Sequence, residues 1–244
     1  MTATVVDHYA NHLGPIYSWM VGNIDAALAR SESELDALSL PSTGAGTAID
    51  LGAGFGLHAI PLARRGFNVI AIDSNGPLLN ELTMLAGPLP IRAVNADLLE
   101  FRSLGGTSAD VILCMGDTLT HLASHASVAS LLRDVAAGLN PGGTFAATFR
   151  DYISAPLQGD ARFIPVRCDE HRLLTCFLEY ADSTVTVHDL VHEREGSSWR
   201  LRVSSYPKLR LSPQWVVEQL SSLGLTVLRD SAPGGMIRIR AIAP

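Results

Sequence analysis

Apolar and polar positions alternate along the chain in a way that predicts strands separated by amphipathic helices between Thr47 and Phe149. Apolar runs predict five strands, near residues 47–51, 68–73, 90–95, 109–115 and 143–149. Helical periodicity predicts three helices, near residues 57–66, 76–86 and 125–139, the last of which is expected to stop at Asn140-Pro141-Gly142-Gly143. This alternation is typical of a parallel sheet covered by helices on both faces.

The pattern changes on both sides of this region. Ahead of it, residues 7–38 predict two or three helices that contain Tyr9, Tyr17, Trp19 and Met20. Because ligands bind beyond the carboxyl ends of parallel strands, these helices are expected to form a lid. After it, partial alternation predicts an antiparallel insert with strands at residues 172–180, 184–192 and 199–206. A helix at 213–223 and strands at 225–228 and 236–240, with a turn at 233–235, predict a closing antiparallel hairpin.

Together these elements predict an α/β fold: a Rossmann-like seven-stranded sheet with helices on both faces, an N-terminal helical lid and an antiparallel β insert after strand five. A length of 244 residues with 47% hydrophobic content is enough for one substantial core, so a single domain is expected. Its parts would be the lid at residues 1–45, the core at 46–155, the insert at 156–211 and the C-terminal helix and hairpin at 212–244.

Composition narrows the choice of partners. Only 17% of the residues are charged and the formal net charge is -6, which argues against nucleic acid or an anionic membrane as a partner and favours a small molecule. Residues 1–13 lack the pattern of a signal peptide, and no apolar run approaches the ~20 residues of a membrane span. The three cysteines lack zinc-type spacing. A cytoplasmic protein is therefore expected, as a monomer or a homodimer.

The first predicted strand runs into a glycine-dense turn over residues 47–56, which read TAIDLGAGFG. Gly52, Gly54 and Gly56 allow a tight turn and a close approach of the backbone to a ligand. A dinucleotide fingerprint would need a third small residue where Leu57 stands, and no G-x-x-x-x-G-K-[ST] is present. The carboxylate of Asp50 would repel a pyrophosphate but suits an ammonium and a sulfonium, so S-adenosylmethionine is the expected cofactor. A turn that binds no ligand is the alternative.

Acids at the ends of the next strands fit the same ligand. Asp73 is expected to accept from the ribose hydroxyls, and Asp97 from the adenine amino group, although both could instead cap helices. The Met115 carbonyl is a candidate acceptor for the cofactor's ammonium. The predicted cofactor-binding residues are Asp50, Gly52, Ala53, Gly54, Gly56, Asp73, Ser74, Asp97, Leu98, Met115 and Gly116.

On these motifs the chain resembles the class I S-adenosylmethionine-dependent methyltransferases from Thr47 to the C-terminus. Beyond the core it is most similar in pattern to the glycine N-methyltransferase group, through the segments CMGDTLTHL at 114–122, FRDY at 149–152 and RLRVSSYP at 200–207. The resemblance implies that Arg150 binds the carboxylate of the acceptor and that Asp117 stands where an asparagine helps to hold it. A family arginine for the cofactor's carboxylate has no counterpart at residues 22–25, and Asp117 adds a negative charge. These departures favour an acceptor with a second cationic group over glycine.

The resemblance implies methyl transfer to a small molecule, at the nitrogen of an amine or amino-acid-like compound bearing an anionic group. The alternatives are methyl transfer to oxygen or sulfur of a natural product, another S-adenosylmethionine-dependent reaction, and a non-catalytic binding protein. The candidate catalytic residues are Asp117, His121 and Arg150, and the candidate substrate-binding residues are Tyr17, Trp19, Arg150, Tyr152 and Tyr206.

Each candidate also has a structural interpretation. His121 could accept or relay a proton, or simply pack under the site. Arg150 could instead pair with Asp151 or another nearby acid, Asp117 could cap the following helix, and the aromatic residues could belong to the core. No metal is expected, because His188 and His192 have no acid or cysteine pair at a metal-binding spacing.

Overall fold

The computed structural model describes residues 3–40, 46–104, 108–154 and 156–244, and the predicted boundaries at residues 45 and 155 lie outside these ranges. The α-helices are Val5–His8 (α1), Tyr17–Val21 (α2), Ile24–Ala37 (α3), Ala59–Arg64 (α4), Gly76–Ala86 (α5), His125–Gly138 (α6) and Pro213–Ser222 (α7). The strands are Gly46–Leu51 (β1), Phe67–Asp73 (β2), Ile91–Asn95 (β3), Ala109–Cys114 (β4), Leu139–Arg150 (β5), Phe163–Cys168 (β6), Arg172–Tyr180 (β7), Thr184–Glu195 (β8), Ser198–Leu209 (β9), Thr226–Ala232 (β10) and Met236–Ile242 (β11).

Seven strands form the main sheet in the order β10-β11-β5-β4-β1-β2-β3. Strands β1 to β5 are parallel, and β11 runs antiparallel to both β5 and β10. The strand order reverses between β1 and β4, where the loops that follow the two strands turn to opposite faces and open a crevice. The predicted fold class, including the final hairpin, is confirmed.

Side chains from the two faces of the main sheet enter two separate cores. Ile49 and Phe145 pack with residues of α6 and α7, whereas Ala48 packs on the other face with residues of α4 and α5. Because these strands are buried on both faces, they read as nearly continuous apolar runs. This packing holds the carboxyl ends of the strands in place, and the crevice lies at those ends.

Helix α6 ends earlier than predicted, and the insert has more strands than predicted. Helix α6 ends at Gly138, and Leu139 already pairs with Ala109, so the predicted turn at 140–143 lies inside an irregular start of β5. The insert is a four-stranded antiparallel sheet in the order β6-β7-β8-β9, one strand more than predicted. Pro165 interrupts the alternation of β6 and shifts its register, which an edge strand tolerates.

The N-terminal segment lies against the insert. After α1 the chain forms a π-helical turn at Tyr9–Leu13 and a 3-10 turn at Gly14–Ile16 before α2 and α3. His8 Nε2 lies 2.8 Å from the Oδ2 of Asp189 on β8, and His12 Nε2 lies 2.9 Å from the Asp189 carbonyl oxygen. Among the helices of the described ranges, none combines the length and the apolar character needed to cross a membrane.

Candidate active site

A cavity of about 440 Å³ lies at the carboxyl ends of β1, β2 and β4, partly covered by the N-terminal segment. The predicted site residues that line it are Tyr17, Gly52, Ala53, Gly54, Asp73, Ser74, Asp97, Leu98, Met115, Gly116 and His121. The predicted site residues that do not line it are Trp19, Asp50, Gly56, Asp117, Arg150, Tyr152 and Tyr206. The structure thus brings most of the predicted cofactor residues together around the cavity, whereas most of the predicted acceptor-binding residues do not line it.

In the glycine turn after β1, Gly56 packs against a helix and Gly54 faces open space. Gly56 has φ +95, and a Cβ there would lie 2.8 Å from Leu82 Cγ on α5, so this glycine allows the turn to pack on the helix. Gly54 has φ +53, and a Cβ there would meet no atom within 4 Å, because the backbone faces the cavity. A ligand can therefore approach the main chain closely at Gly54.

Asp73 ends β2 beside this turn. Its Oδ2 accepts the backbone N–H of Gly54 at 2.8 Å, and its Oδ1 accepts that of Asn75 at 2.7 Å. Burial raises the pKa of Asp73, although these backbone donors oppose the shift. Each carboxylate oxygen has two lone pairs, so both can still accept from a pair of hydroxyls. Asp97 also lines the cavity, and its Oδ1 accepts the N–H of Leu99 at 2.9 Å, as a capping residue does.

Asp50 lies behind the glycine turn with 2% of its surface exposed. Its Oδ2 is buried without a hydrogen-bond partner among the described residues, and burial raises the pKa of this carboxyl to about 6. The described lining of the cavity contains acids but neither lysine nor arginine. An orphaned carboxylate oxygen, an open glycine backbone and an acidic wall fit a ligand that carries an ammonium, a sulfonium and a ribose, as S-adenosylmethionine does.

Asp117 forms the centre of a buried polar cluster next to the cavity. Its Oδ1 accepts the backbone N–H of Arg150 at 3.0 Å, and its Oδ2 accepts from the Tyr152 hydroxyl at 3.1 Å and from Lys208 Nζ at 2.6 Å. Burial alone would raise the pKa of Asp117, but Lys208 reverses the effect and the pKa is lowered. The pair has no net charge, so the expectation of a cationic acceptor loses its basis. The side chain also does not cap the turn that follows.

Lys208 is the residue of this cluster that the sequence motifs did not indicate. It is the only lysine in the chain, whose other side-chain cations, histidine aside, are all arginines. Alternation along β9 places it on the same face as Tyr206, which is buried. The sequence signal that could have identified Lys208 as a site residue is that the one lysine of the chain lies at an inward-facing position of β9.

His121 lines the cavity at the end of the 3-10 turn Thr118–His121. Its Nε2 is buried without a hydrogen-bond partner among the described residues, and burial, helped by Lys208, lowers the pKa of the imidazole to about 3. The ring centre lies 5.5 Å from that of Tyr9 and 5.7 Å from that of Tyr206. The imidazole is therefore neutral in the physiological pH range and has an unused polar atom.

Arg150 and Trp19 make other contacts in this structure. Arg150 Nη1 donates to the Gly234 carbonyl at 3.1 Å, and 47% of the side chain is exposed. The nearby acid that Arg150 meets is Asp117, at 3.9 Å from its Nε, whereas Asp151 accepts from backbone N–H groups. Trp19 donates to Asp169 at 2.5 Å, and Tyr152 and Tyr206 are buried in a core beneath the insert. The described residues contain no group of three potential metal ligands.

Comparison with known proteins gives the same picture as the geometry. Residues 48–143 match the family described as "Methyltransferase domain". The chain is 33% identical over 134 residues to the cypemycin N-terminal methyltransferase of a Streptomyces species, a match that covers 53% of this chain and 52% of that protein. It is 26% identical over 155 residues to a glycine/sarcosine N-methyltransferase of Halorhodospira halochloris, covering 62% of this chain and 55% of that protein. The chain thus spans about half the length of these relatives.

The fold is shared along almost the whole chain. The crystal structure of an S-adenosylmethionine-dependent methyltransferase from Clostridium acetobutylicum superposes with a TM-score of 0.75 and 15% identity, covering 96% of this chain and 99% of that one. The family match lies on the part of the chain that holds the glycine turn, Asp73 and Asp97. The predicted resemblance is confirmed: residues 48–143 match a methyltransferase domain, and the chain as a whole shares the fold of S-adenosylmethionine-dependent methyltransferases.

Proposed function

We propose that the protein transfers a methyl group from S-adenosylmethionine to the nitrogen of a small-molecule amine. The observation that supports this most is the neutral imidazole of His121, which has an unpartnered nitrogen beside a cavity whose other end fits the cofactor. When bound, the cofactor supplies a methyl group activated by the sulfonium. The relatives support nitrogen as the acceptor atom, since one of the two named above is a glycine/sarcosine N-methyltransferase and the other is named as an N-terminal methyltransferase.

The protein's contribution is mainly orientation. Asp73 and the Gly54 backbone would hold the ribose and the chain of the cofactor, and His121 would accept a hydrogen bond from the amine N–H and direct the nitrogen lone pair. Positioning of this kind can contribute on the order of 7 to 11 kcal/mol to a bimolecular reaction. With a pKa of about 3, His121 is too weak a base to deprotonate an ammonium, so the amine has to arrive as the free base.

An anionic group on the acceptor, as the resemblance implies, belongs to a narrower form of this proposal. Its support is the position of Arg150 at the end of β5, with its Nε 3.9 Å from Asp117 and half of its side chain in solvent. An anion would have to meet this guanidinium outside the described cavity wall. Arg150→Ala separates the two forms, because it raises the KM only for acceptors whose anionic group binds there, without changing cofactor affinity.

The experiment combines two measurements on the full chain. Calorimetry with S-adenosylmethionine tests the cofactor site alone, and isotope-labelled S-adenosylmethionine with pools of amines, alcohols and thiols tests transfer. Labelled product from the amine pool alone supports the proposal, and label in the oxygen or sulfur pools overturns the choice of nitrogen. Cofactor binding without transfer to any pool would favour a non-methylating role on the same fold.

A further inference from the structure

Lys208 connects the antiparallel insert to the turn that ends at His121. It lies on the inner face of β9 with 9% of its surface exposed, and its Nζ donates to Asp117 Oδ2 at 2.6 Å. The same ammonium lies 5.8 Å from the ring centre of Tyr206, which is the ring that contacts His121. Lysine is almost never buried to this extent without a partner, so this pair is a specific feature of the site.

Asp117 in turn fixes the start of that turn. It is a non-glycine residue at φ +79, a strained conformation that the surroundings must hold. Its N–H donates to the Thr148 carbonyl at 2.9 Å, and its carbonyl accepts from the N–H and the hydroxyl of Thr120 at 3.0 and 2.7 Å. His121 follows Thr120 directly, so its position depends on where the backbone and the carboxylate of Asp117 are held.

The negative charge of Asp117 needs a cation, because the residue is only 4% exposed. Two cations approach it. Arg150 Nε lies 3.9 Å away on a half-exposed side chain, whereas Lys208 Nζ lies 2.6 Å away on a side chain that is 10% exposed. Attraction grows as the distance shortens and as water is excluded, so Lys208 provides most of the compensation.

We propose that Lys208 is a positioning residue of the active site, which holds the turn that presents His121 to the cavity by neutralising Asp117 inside the protein. This inference rests on the proposed function insofar as His121 acts on the acceptor. Lys208 itself does not line the described cavity.

The charges around His121 make the role measurable. The groups that act on its imidazole are Lys208, Asp117, His8 and Asp189, with the rings of Tyr9 and Tyr206 in contact. Lys208 lowers the pKa of His121 and Asp117 raises it. Loss of Lys208 alone should therefore raise the pKa of His121, loss of the Asp117 charge alone should lower it further, and loss of both should leave it close to its starting value. A residue that only packs against its neighbours would not shift the pKa of His121 in the direction opposite to the shift caused by loss of the Asp117 charge.

The test is a pH titration of the histidine Cε1–H resonances by NMR on the cofactor-free full chain, in which His121→Gln identifies the His121 signal. We expect no titration of His121 above about pH 5 in the parent protein and an upward shift of about one unit or more in Lys208→Met. Asp117→Asn combined with Lys208→Met should restore the parent behaviour and still fold, because no unpaired charge remains buried. Lys208→Arg, which keeps the charge, should also stay close to the parent.

Arg202→Met is the matched control, because it removes a cation from the same strand that pairs with Glu193 rather than with Asp117. The proposal is overturned if Lys208→Met titrates like the parent and the control, or if the double variant behaves like Lys208→Met. The titration needs no acceptor and no methyl transfer, so failure of the proposed function would leave this result standing on its own. Where transfer is observed, Lys208→Met should lower kcat at least tenfold at neutral pH with little change in cofactor affinity.

Discussion

The backbone N–H of Gly54 donates to the carboxylate of Asp73 across 2.8 Å, which joins the glycine turn and the end of β2 into one unit. Gly54 lies in the loop after β1 and Asp73 ends the neighbouring strand β2, so the bond holds this loop at the place where the cofactor is expected. Both face the cavity, and a ligand that contacts one of them is held against the other.

The first prediction concerns the carboxylate of this unit. Asp73→Ala should weaken S-adenosylmethionine binding at least tenfold, because it removes the acceptor for two hydroxyls and releases the Gly54 N–H. Isothermal calorimetry measures the change, with Asp230→Ala as a control acid that pairs with Arg238 on the far hairpin. Unchanged affinity in Asp73→Ala would remove this residue from the site.

The second prediction compares two glycines of the same turn. Gly54→Ala places a methyl group in open space that the cofactor should occupy, so affinity should fall while the fold persists. Gly56→Ala places its methyl group 2.8 Å from Leu82, so thermal stability should fall by several degrees. Both positions have positive φ and share the cost of about 1–2 kcal/mol for a side chain in that region. A Gly54→Ala protein that binds the cofactor normally would contradict the placement of the ligand.

The third prediction follows from the buried carboxyl of Asp50. Its pKa is raised from 3.8 to about 6, so the folded protein is most stable with this group protonated and loses that stability as the pH rises through 6. Asp50→Asn should therefore raise the free energy of unfolding at pH 8 by about 1–3 kcal/mol, with a higher Tm. The gain should vanish near pH 4, where the Asp50 carboxyl of the folded parent is neutral, as the carboxamide of the variant is at every pH.

The same substitution should weaken cofactor binding, because Asn cannot supply the negative charge that an ammonium or sulfonium requires. Thermal unfolding at the two pH values and calorimetry at pH 8 measure both effects on one variant. A stability gain that is equal at pH 4 and pH 8 would show that the charge of Asp50 is not the cause.

The fourth prediction concerns the pH dependence of transfer. His121 has a pKa of about 3, so its charge does not change between pH 5 and 9. At saturating S-adenosylmethionine, where titration of Asp50 near pH 6 does not limit cofactor binding, the value of kcat/KM for the acceptor should rise with pH up to the pKa of the acceptor's own ammonium, and no break should appear near 6.5, the usual value for histidine. Acceptors with different ammonium pKa values should move the break accordingly, and a constant break near 6.5 would identify a titrating histidine instead.

Substitution of His121 tests the same group directly. His121→Leu should lower kcat by about 10- to 100-fold, because the amine loses a positioned hydrogen-bond acceptor, while cofactor affinity changes little. His121→Gln keeps an acceptor and should retain more activity than the leucine variant. Equal activity of the leucine variant and the parent would leave the imidazole with a packing role only.

The parallel core was predictable because its inner strands are buried on both faces and end in recognisable residues. Asp73 follows an apolar run directly, Asp97 lies two residues after the end of β3, and the glycine turn is recognisable from its own sequence. Strand β6 was missed because Pro165 breaks its alternation. The N-terminal π-helical and 3-10 turns were not predicted. They lie where the N-terminal segment contacts the insert, and local periodicity carries no information about contacts between distant segments.

The acceptor side was less predictable for a physical reason. Asp117 was identified from the motif that contains it, but its partner Lys208 lies 91 residues away in the chain, and only the folding of the insert brings the two together. The charge state of His121 depends on the same pairing. One motif of the sequence named Asp117 and His121 as candidates, but the charge balance around them could be read only from the folded structure, which brings Lys208 to Asp117.

The ion pair between β9 and the loop after β4 constrains how the protein can be altered. Suppose that residues 163–209 are replaced by the corresponding segment of a methyltransferase that has no lysine at the position of Lys208. The Asp117 carboxylate would then be buried without its partner. A chimera of that kind needs Asp117→Asn at the same time. Natural variation should follow the same rule, with the two positions changing together in evolution although one lies in the insert and the other in the loop after β4.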